Sequence, residues 1–552
     1  MATCDTYNCD RSSIRNGKCV LHCSKNGWYE ERETLENQKK IYEELVKEVV
    51  KICTNRSTYK ERNITEDHLY GYFNLDDYEY LNSSISQNTS NDTKQFLNET
   101  TIQLRYIHFP KRDKKHILDY LYILEKIGNI DFRKCTIYSN RWELKNPNVF
   151  FDECTFLNRW TIYDYNILAN ERSVLYQICD FKRRVTLSFS DDQEKKYTVH
   201  QSLFSDCNFQ EKLVLDDGLF KSPIFNNRAP FEGQKRFIRE LSISNSIIQD
   251  KFTLNNYSLI EFSMQNTEFK GKVEVKENLI LNFNIEDSNF EGLADFFETN
   301  FGNFKIYKSI FYDFAGFEHC SFGEKKLLDN VIAQKAQDVK FSDNHNSQIS
   351  SIQNPAIFQY VTFLDFINFR NTNFSSGLDL SESNFSGNPN FLNATVDPDN
   401  TPRETYRILK HSFDKIGNNI EGNRFYKYEI LKLKEEYQSK KNRSGSLLLW
   451  FYEILSDYGN SYWRPFVAIL ITALIYYFID WGYQTNFFYE NCSVLCSEFA
   501  AISRFLNDVA ASIIPISRFL KEGIEFLSLF LYVLFVAEIW LIILAIKRHT
   551  KR

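Results

Sequence analysis

Between residues 290 and 396 the apolar positions recur at a spacing that belongs to neither helix nor strand. Phe363, Phe369, Phe374, Leu380, Phe385, Phe391 and Val396 alternate steps of six and five. Phe290, Phe296 and Phe301 keep the same steps, and so do Phe311, Phe317 and Phe322. Two positions before many of them stands a small residue: Ser288, Ala294, Cys320, Thr372 or Ser383. Neither a 3.6-residue nor a two-residue period holds such side chains on one face. A coil with four short sides of about five residues does, giving coils of about 21–22 residues whose inward side chains stack along an axis. Each buried Phe then contributes ~1.5–3 kcal/mol. Upstream the signature recurs singly, at Cys135–Ile137, Cys154–Phe156, Cys179–Phe181, Cys207–Phe209 and Thr267–Phe269. The uneven gaps predict coils that carry insertions, for example after Ser222 and after Lys335. The cysteines two residues before each large side chain are expected to be small buried fillers.

The flanks have a helical period. The stretch from Trp28 places Leu35, Ile41, Leu45 and Val49 on one helical face. Residues 82–101, rich in Ser, Thr and Asn, read as a loop. Residues 113–132 read as a short helix capping the open end of the solenoid. After Pro402 the pattern predicts a helical hairpin. Thr401 is the expected N-cap, with Pro402 in the first turn and Glu404 completing a capping box. Tyr406, Leu409, Phe413 and Ile416 share a face, Gly417 breaks the run, and Phe425, Tyr428 and Leu431 belong to the second helix.

Two stretches near the C-terminus are long and apolar enough to cross a bilayer, about 464–483 and 524–546. Lys440, Lys441, Arg443 and Arg464 precede the first, and the basic "KRHTKR" closes the second. By the positive-inside rule both ends lie on the cytoplasmic side and residues 484–523 face outward. Cys492 and Cys496 in that segment are spaced for a local disulfide. The semi-apolar residues 499–516 suit a re-entrant or interfacial helix. Glu538 sits inside the second span, where an ionisable side chain belongs to a helix contact or to a pore.

Composition adds aromatic material for a core, with 49 Phe and 32 Tyr among 552 residues. A net charge of −6 speaks against a nucleic-acid partner. The N-terminus has no apolar leader, so this end is expected in a reducing cytosol, where thiols pack or bind metal. Cys4, Cys9, Cys19 and His22 form C-x4-C-x9-C-x2-H, with Cys23 immediately following. Four such ligands suit a structural zinc knuckle, with His22 or Cys23 as the fourth. No phosphate loop, nucleophile elbow or HExxH is present, so an enzyme is not expected.

"FSSGLDLSESNFSGNPNFLNATV" and "DSNFEGLADFFETNF" resemble the pentapeptide-repeat family. That resemblance implies a right-handed quadrilateral β-helix. With "ETYRILKHSFDKIGNNIEGNRFYKYEI", "YGNSYWRP" and "LAIKRHTKR", residues 106–552 resemble bacterial pentapeptide-repeat membrane proteins, and "GKCVLH" resembles a motif found ahead of such domains. The implied chain is multidomain: a zinc knuckle (1–27), a helix and polar linker (28–105), the solenoid (106–400), a helical hairpin (401–463) and a two-helix membrane domain (464–552). It would lie in the bacterial inner membrane as a multi-pass homo-oligomer with both termini cytoplasmic. Some relatives carry a potassium filter. Here "SIIPISRFLKEG" holds that place and lacks the Gly-rich strand. The first functional expectation is a membrane-anchored scaffold or sensor binding a protein partner through its solenoid. The second is an oligomeric ion channel or gated pore. A DNA mimic would need an acidic stripe, whereas Lys and Asp/Glu are interleaved here.

Overall fold

The structure is a computed structural model that describes residues 3–6, 9–26, 34–56, 59, 64–73, 87–111, 119–163, 173–188, 197–228, 236–323, 354–484, 506–507 and 524–550. It divides into two compact units, Met1–Asn400 and Thr401–Arg552.

The first unit is a solenoid of parallel strands. One ladder runs through Leu259, Ile280, Phe301, Phe322, Phe374 and Val396. A second joins Met264, Ile285, Ile306 and Phe358. A third joins Ile248, Phe269, Phe290, Phe311, Phe363 and Phe385. The fourth inward position stacks Phe296, Phe317, Phe369 and Phe391, with ring centroids 4.7, 5.4 and 4.8 Å apart. Corresponding residues on adjacent coils are 21 apart between Ser288 and Ser309 and 22 apart between Asn373 and Thr395. The six-and-five steps are thus successive sides of one coil. Phe290, Phe296, Phe301, Phe311, Phe317, Phe322, Phe363, Phe369, Phe374, Leu380 and Phe391 are buried. Phe385, on the last coil, is only half-buried.

Ser288, Cys320, Thr372 and Ser383 each follow a corner in the left-handed backbone region. Asn266, Asp287 and Lys308 have φ of 48°, 48° and 47°. Outside Gly this conformation costs about 1–2 kcal/mol per residue. Each corner N–H offsets the cost by donating to the next coil, at 3.1 Å to the carbonyls of Glu286, Tyr307 and Gln359. The small residue then closes the corner. The Ser288 hydroxyl donates to the Glu286 carbonyl at 2.9 Å and accepts the Thr267 N–H at 3.2 Å.

The early signatures occupy the same frame. Phe109, Ile137, Phe156, Phe181, Phe209 and Ile238 form one ladder. Cys135, Cys154, Cys179 and Cys207 fill its corner, buried, with thiols donating to carbonyls of the preceding coil at 3.4–3.5 Å. Of the insertion expected from Lys335, residues 335–353 lie outside the described residues, as do residues 229–235 of the one expected from Ser222, while Ala356–Gln359 is a solenoid strand.

Ahead of the coils stand helices α1 (Thr34–Thr54), α2 (Glu66–Phe73), α3 (Gln87–Glu99) and α4 (Tyr120–Glu125), and the first strand runs Thr101–Arg105. Helix α1 buries Ile41, Leu45 and Val49. Helix α4 is capped by the Asp119 carboxylate, which accepts from the Leu121 N–H at 3.0 Å. Helix α3 corrects the sequence reading, which made this polar stretch a loop. Thr93, Phe96, Leu97 and Thr100 are buried at i, i+3, i+4 and i+7, so burial of one face overrides weak Ser/Thr/Asn propensity.

The second unit contains helices α5 (Arg403–Lys415), α6 (Asn419–Ser439), α7 (Arg443–Ser456), α8 (Trp463–Gln484) and α9 (Glu525–Thr550). The expected hairpin is α5–α6, with Phe413 stacked on Phe425 at 5.5 Å and Tyr406 on Tyr428 at 5.4 Å. Three details differ from expectation. Pro402 itself is the N-cap, extended at ψ 155° and without a side-chain bond, so Thr401 lies one residue outside. Ile416 is the C-cap residue and exposed, because the chain leaves the helix there for Gly417 at φ +76°. Helix α7 is a third linker helix that the sequence reading did not separate. Helices α8 and α9 contain apolar segments long enough to cross a membrane, Trp463–Tyr483 and Glu525–Arg548.

Candidate metal centre and other candidate sites

The N-terminal turns are drawn together by short backbone bonds. The Cys9 N–H donates to the Thr6 carbonyl at 3.1 Å, and those of His22 and Cys23 donate to the Cys19 carbonyl at 3.1 and 2.9 Å. Gly17 stands at φ +73°, and a Cβ there would lie 2.0 Å from the Asp5 carboxylate. The turn therefore requires glycine. The result places Cys4, Cys9, Cys19 and His22 with ligand atoms all within 4.8 Å of one another. Cys9 Sγ and Cys19 Sγ are 3.8 Å apart, and His22 Nδ1 lies 3.4 Å from both Cys4 Sγ and Cys19 Sγ.

Those three separations are close to the edges of a tetrahedral site. Metal–sulfur bonds of about 2.3 Å and metal–nitrogen bonds of about 2.1 Å require edges of about 3.5–3.8 Å. The donor set and spacing therefore fit a metal ion, with His22 as the fourth ligand. Cys23 does not join. Its thiol lies 3.7 Å from the Val20 carbonyl and 3.6 Å from Lys25 Nζ. Burial pushes the Cys19 thiol up to about 12. Cys4 is desolvated too, yet hydrogen bonds from Thr6, the Cys19 N–H and His22 bring it down to about 6. A cation at the centre would favour thiolate at every sulfur. The knuckle is anchored on both sides. Arg11 pairs with Glu44 at 2.8 Å and Glu48 at 2.5 Å on α1, and the His108 N–H donates to the Leu21 carbonyl at 2.8 Å.

Glu538 lies on α9 facing α8, 2% exposed, and its Oε1 accepts the Thr472 hydroxyl at 2.9 Å. Its Oε2 is buried without a hydrogen-bond partner among the described residues. Cys492 and Cys496, expected to form a disulfide, lie outside the described residues, as does nearly all of the expected half-helix.

One surface feature escaped the sequence reading. Tyr312 and Leu364 stand one residue past paired ladder positions, and Phe314 and Phe366 stack at 6.0 Å on the same two coils. Tyr312, Leu364 and Phe366 are exposed. Their signal was present in the chain as large apolar residues at non-ladder positions 52 apart, hidden by the intervening insertion. Compared with protein families, with curated proteins and with solved structures, the chain finds no match in any of the three.

Proposed function

We propose that the chain is a membrane-anchored scaffold or sensor whose solenoid, of the right-handed pentapeptide-repeat type, docks a protein partner. One observation carries the partner half: the outward apolar patch of Tyr312, Phe314, Leu364 and Phe366 on adjacent coils. Solenoids present such stacked surfaces to partners, and clustered exposed apolar side chains mark interaction sites. The anchor half rests on α8 and α9, which leave Phe466, Leu470, Leu474, Phe530, Trp540 and Ile543 exposed, as lipid contact requires. The N-terminal ligands hold zinc in a closed structural site, since three thiols and an imidazole suit that ion and leave no open position.

A photo-crosslinking amino acid at Leu364, in the native membrane, tests the docking surface. It should trap a protein that the same residue at Asn303, on another side of the coil, does not. Equal products from both positions would sink the scaffold reading.

The second reading is an oligomeric channel, favoured by the unpartnered Glu538 oxygen in a membrane-length helix. The Thr472 bond weighs against it, because it turns the carboxyl into the helix pair.

A further inference from the structure

Where α2, α3 and α4 meet the strands Asn129–Arg133 and Asn148–Asp152, the first unit contains a cleft of about 620 Å³. Tyr72, Lys94, Tyr122, Glu125 and Lys126 line it, with asparagines 98, 129, 146 and 148. This volume is in the range of small-molecule sites.

The walls are fixed by protein bonds. Asn129 Nδ2 donates to the Asn98 carbonyl at 3.0 Å, and Asn148 Nδ2 to Asn129 Oδ1 at 3.1 Å. Gly128 lets α3 approach: a Cβ there would stand 2.2 Å from the Asn98 carbonyl oxygen. Substitution would push the helix off the cleft floor.

Lys126 is the unusual group. Its Nζ donates to the Tyr72 carbonyl and lies 4.7 Å from the Tyr72 ring centre and 4.2 Å from that of Tyr122. No carboxylate reaches ion-pair distance of it among the described residues. The adjacent Glu125 is turned to the backbone, accepting the N–H groups of Lys145 at 2.9 Å and Asn146 at 3.2 Å. Burial lowers the Lys126 ammonium to about 8. A desolvated cation of this kind gains most from an anion brought from outside.

We propose that this cleft binds a small phosphorylated molecule, its phosphoryl oxygens on Lys126 and Lys94. Two ammonium groups match a phosphoryl dianion. The remaining volume, lined by Tyr72, Tyr122 and the asparagines, suits a polar ring, which a sugar phosphate or a nucleotide supplies. The inference stands apart from the scaffold reading, because it concerns a cleft on the other end of the solenoid from the apolar patch.

The groups that titrate around Lys126 are Tyr72 on α2, Lys94 on α3, and Tyr122 and Glu125 on its own helix. A bound dianion raises the Lys126 pKa above about 8. The affinity gain is therefore complete below pH 8 and declines as pH rises through the liganded value. Calorimetry on the full chain in detergent would use glucose 6-phosphate, adenosine 5′-monophosphate and inorganic phosphate, with glucose and adenosine as uncharged controls. At least one phosphorylated ring compound should bind at pH 7 and weaken at pH 9.5, and the one that binds identifies the source. Lys126→Met should weaken it at least tenfold while its thermal transition matches wild type. Lys94→Met, at a more solvated position, should weaken it less and serves if Lys126→Met fails to fold. No binding, equal binding of the uncharged control, unchanged affinity in both variants, or binding of inorganic phosphate as an adventitious ion only would overturn the proposal.

Discussion

Phe317 has no solvent exposure and lies between two rings, Phe296 at 4.7 Å and Phe369 at 5.4 Å. Phe385 occupies an equivalent inward position on the last coil, half-buried, with Phe363 at 5.3 Å as its stacked neighbour. Truncating Phe317 to Ala removes buried area and leaves a cavity closed by coils on both sides, at a cost of ~3–5 kcal/mol. The open side of Phe385 lets water or neighbouring atoms fill the gap, so Phe385→Ala should cost only ~1–2 kcal/mol. Guanidinium unfolding of the two variants measures the difference, and equal losses would refute the stacked ladder. The candidate metal knuckle makes a second contrast at this scale. Cys19→Ser removes a ligand at 3.4 Å from His22 and should abolish metal in the purified chain. Cys23→Ser removes a thiol that faces Val20 and Lys25, and should leave one metal per chain by elemental analysis. Metal loss in Cys23→Ser would reassign the fourth ligand.

At the scale of elements, the coils from residue 290 onward were readable because Phe marks nearly every side. Earlier coils replace it with Ile238, Leu259 and Ile280, which carry no distinctive signal, and longer connections break the period. The left-handed corners were invisible, since Glu277, Glu298, Lys308 and Tyr360 take a conformation usually given to Gly or Asn. Of the metal site, the sequence showed the residue set but not the fourth ligand, which depends on which side of the Cys19 turn each side chain leaves. The cleft around Lys126 was illegible because its lining residues come from separated helices and strands. Helix α7 was hidden inside a stretch read as one hairpin. It exposes Leu447, Leu448, Trp450, Phe451 and Ile454, and it leads directly to the membrane-length α8. If α8 crosses a bilayer as proposed, a short helix with such a face, beginning at Arg443 after Lys440 and Lys441, is expected in the headgroup–acyl boundary. A nitroxide at position 448 in reconstituted bilayers should collide more readily with oxygen than with a water-soluble nickel chelate. The opposite ratio would place α7 in water.

The chain joins a solenoid with a candidate metal site to a pair of apolar helices, and the expected membrane topology has a geometric basis within the second unit. Arg548, near the end of α9, donates to the Tyr458 carbonyl just before α8 begins, and Asn423 Nδ2 donates to the Arg548 carbonyl at 3.1 Å. The entry to α8 and the exit from α9 are therefore neighbours, and both carry basic residues. If both helices cross a bilayer as proposed, these two ends share one side, and by the positive-inside rule we expect it to be the cytoplasmic one. On that reading the solenoid is expected on the same side, with the segment between the two spans on the other. In sealed right-side-out vesicles, added protease should spare the solenoid and cut a site inserted after Tyr489; digestion of the solenoid would reverse the topology. The same reconstituted chain separates anchor from channel. With the Glu538 carboxyl enclosed by the helix pair, sodium and potassium flux into liposomes should stay at background under an applied potential, in wild type and in Glu538→Gln alike. Flux above background that changes in Glu538→Gln would move that carboxyl from a helix contact to a pore wall, and the chain from scaffold to channel.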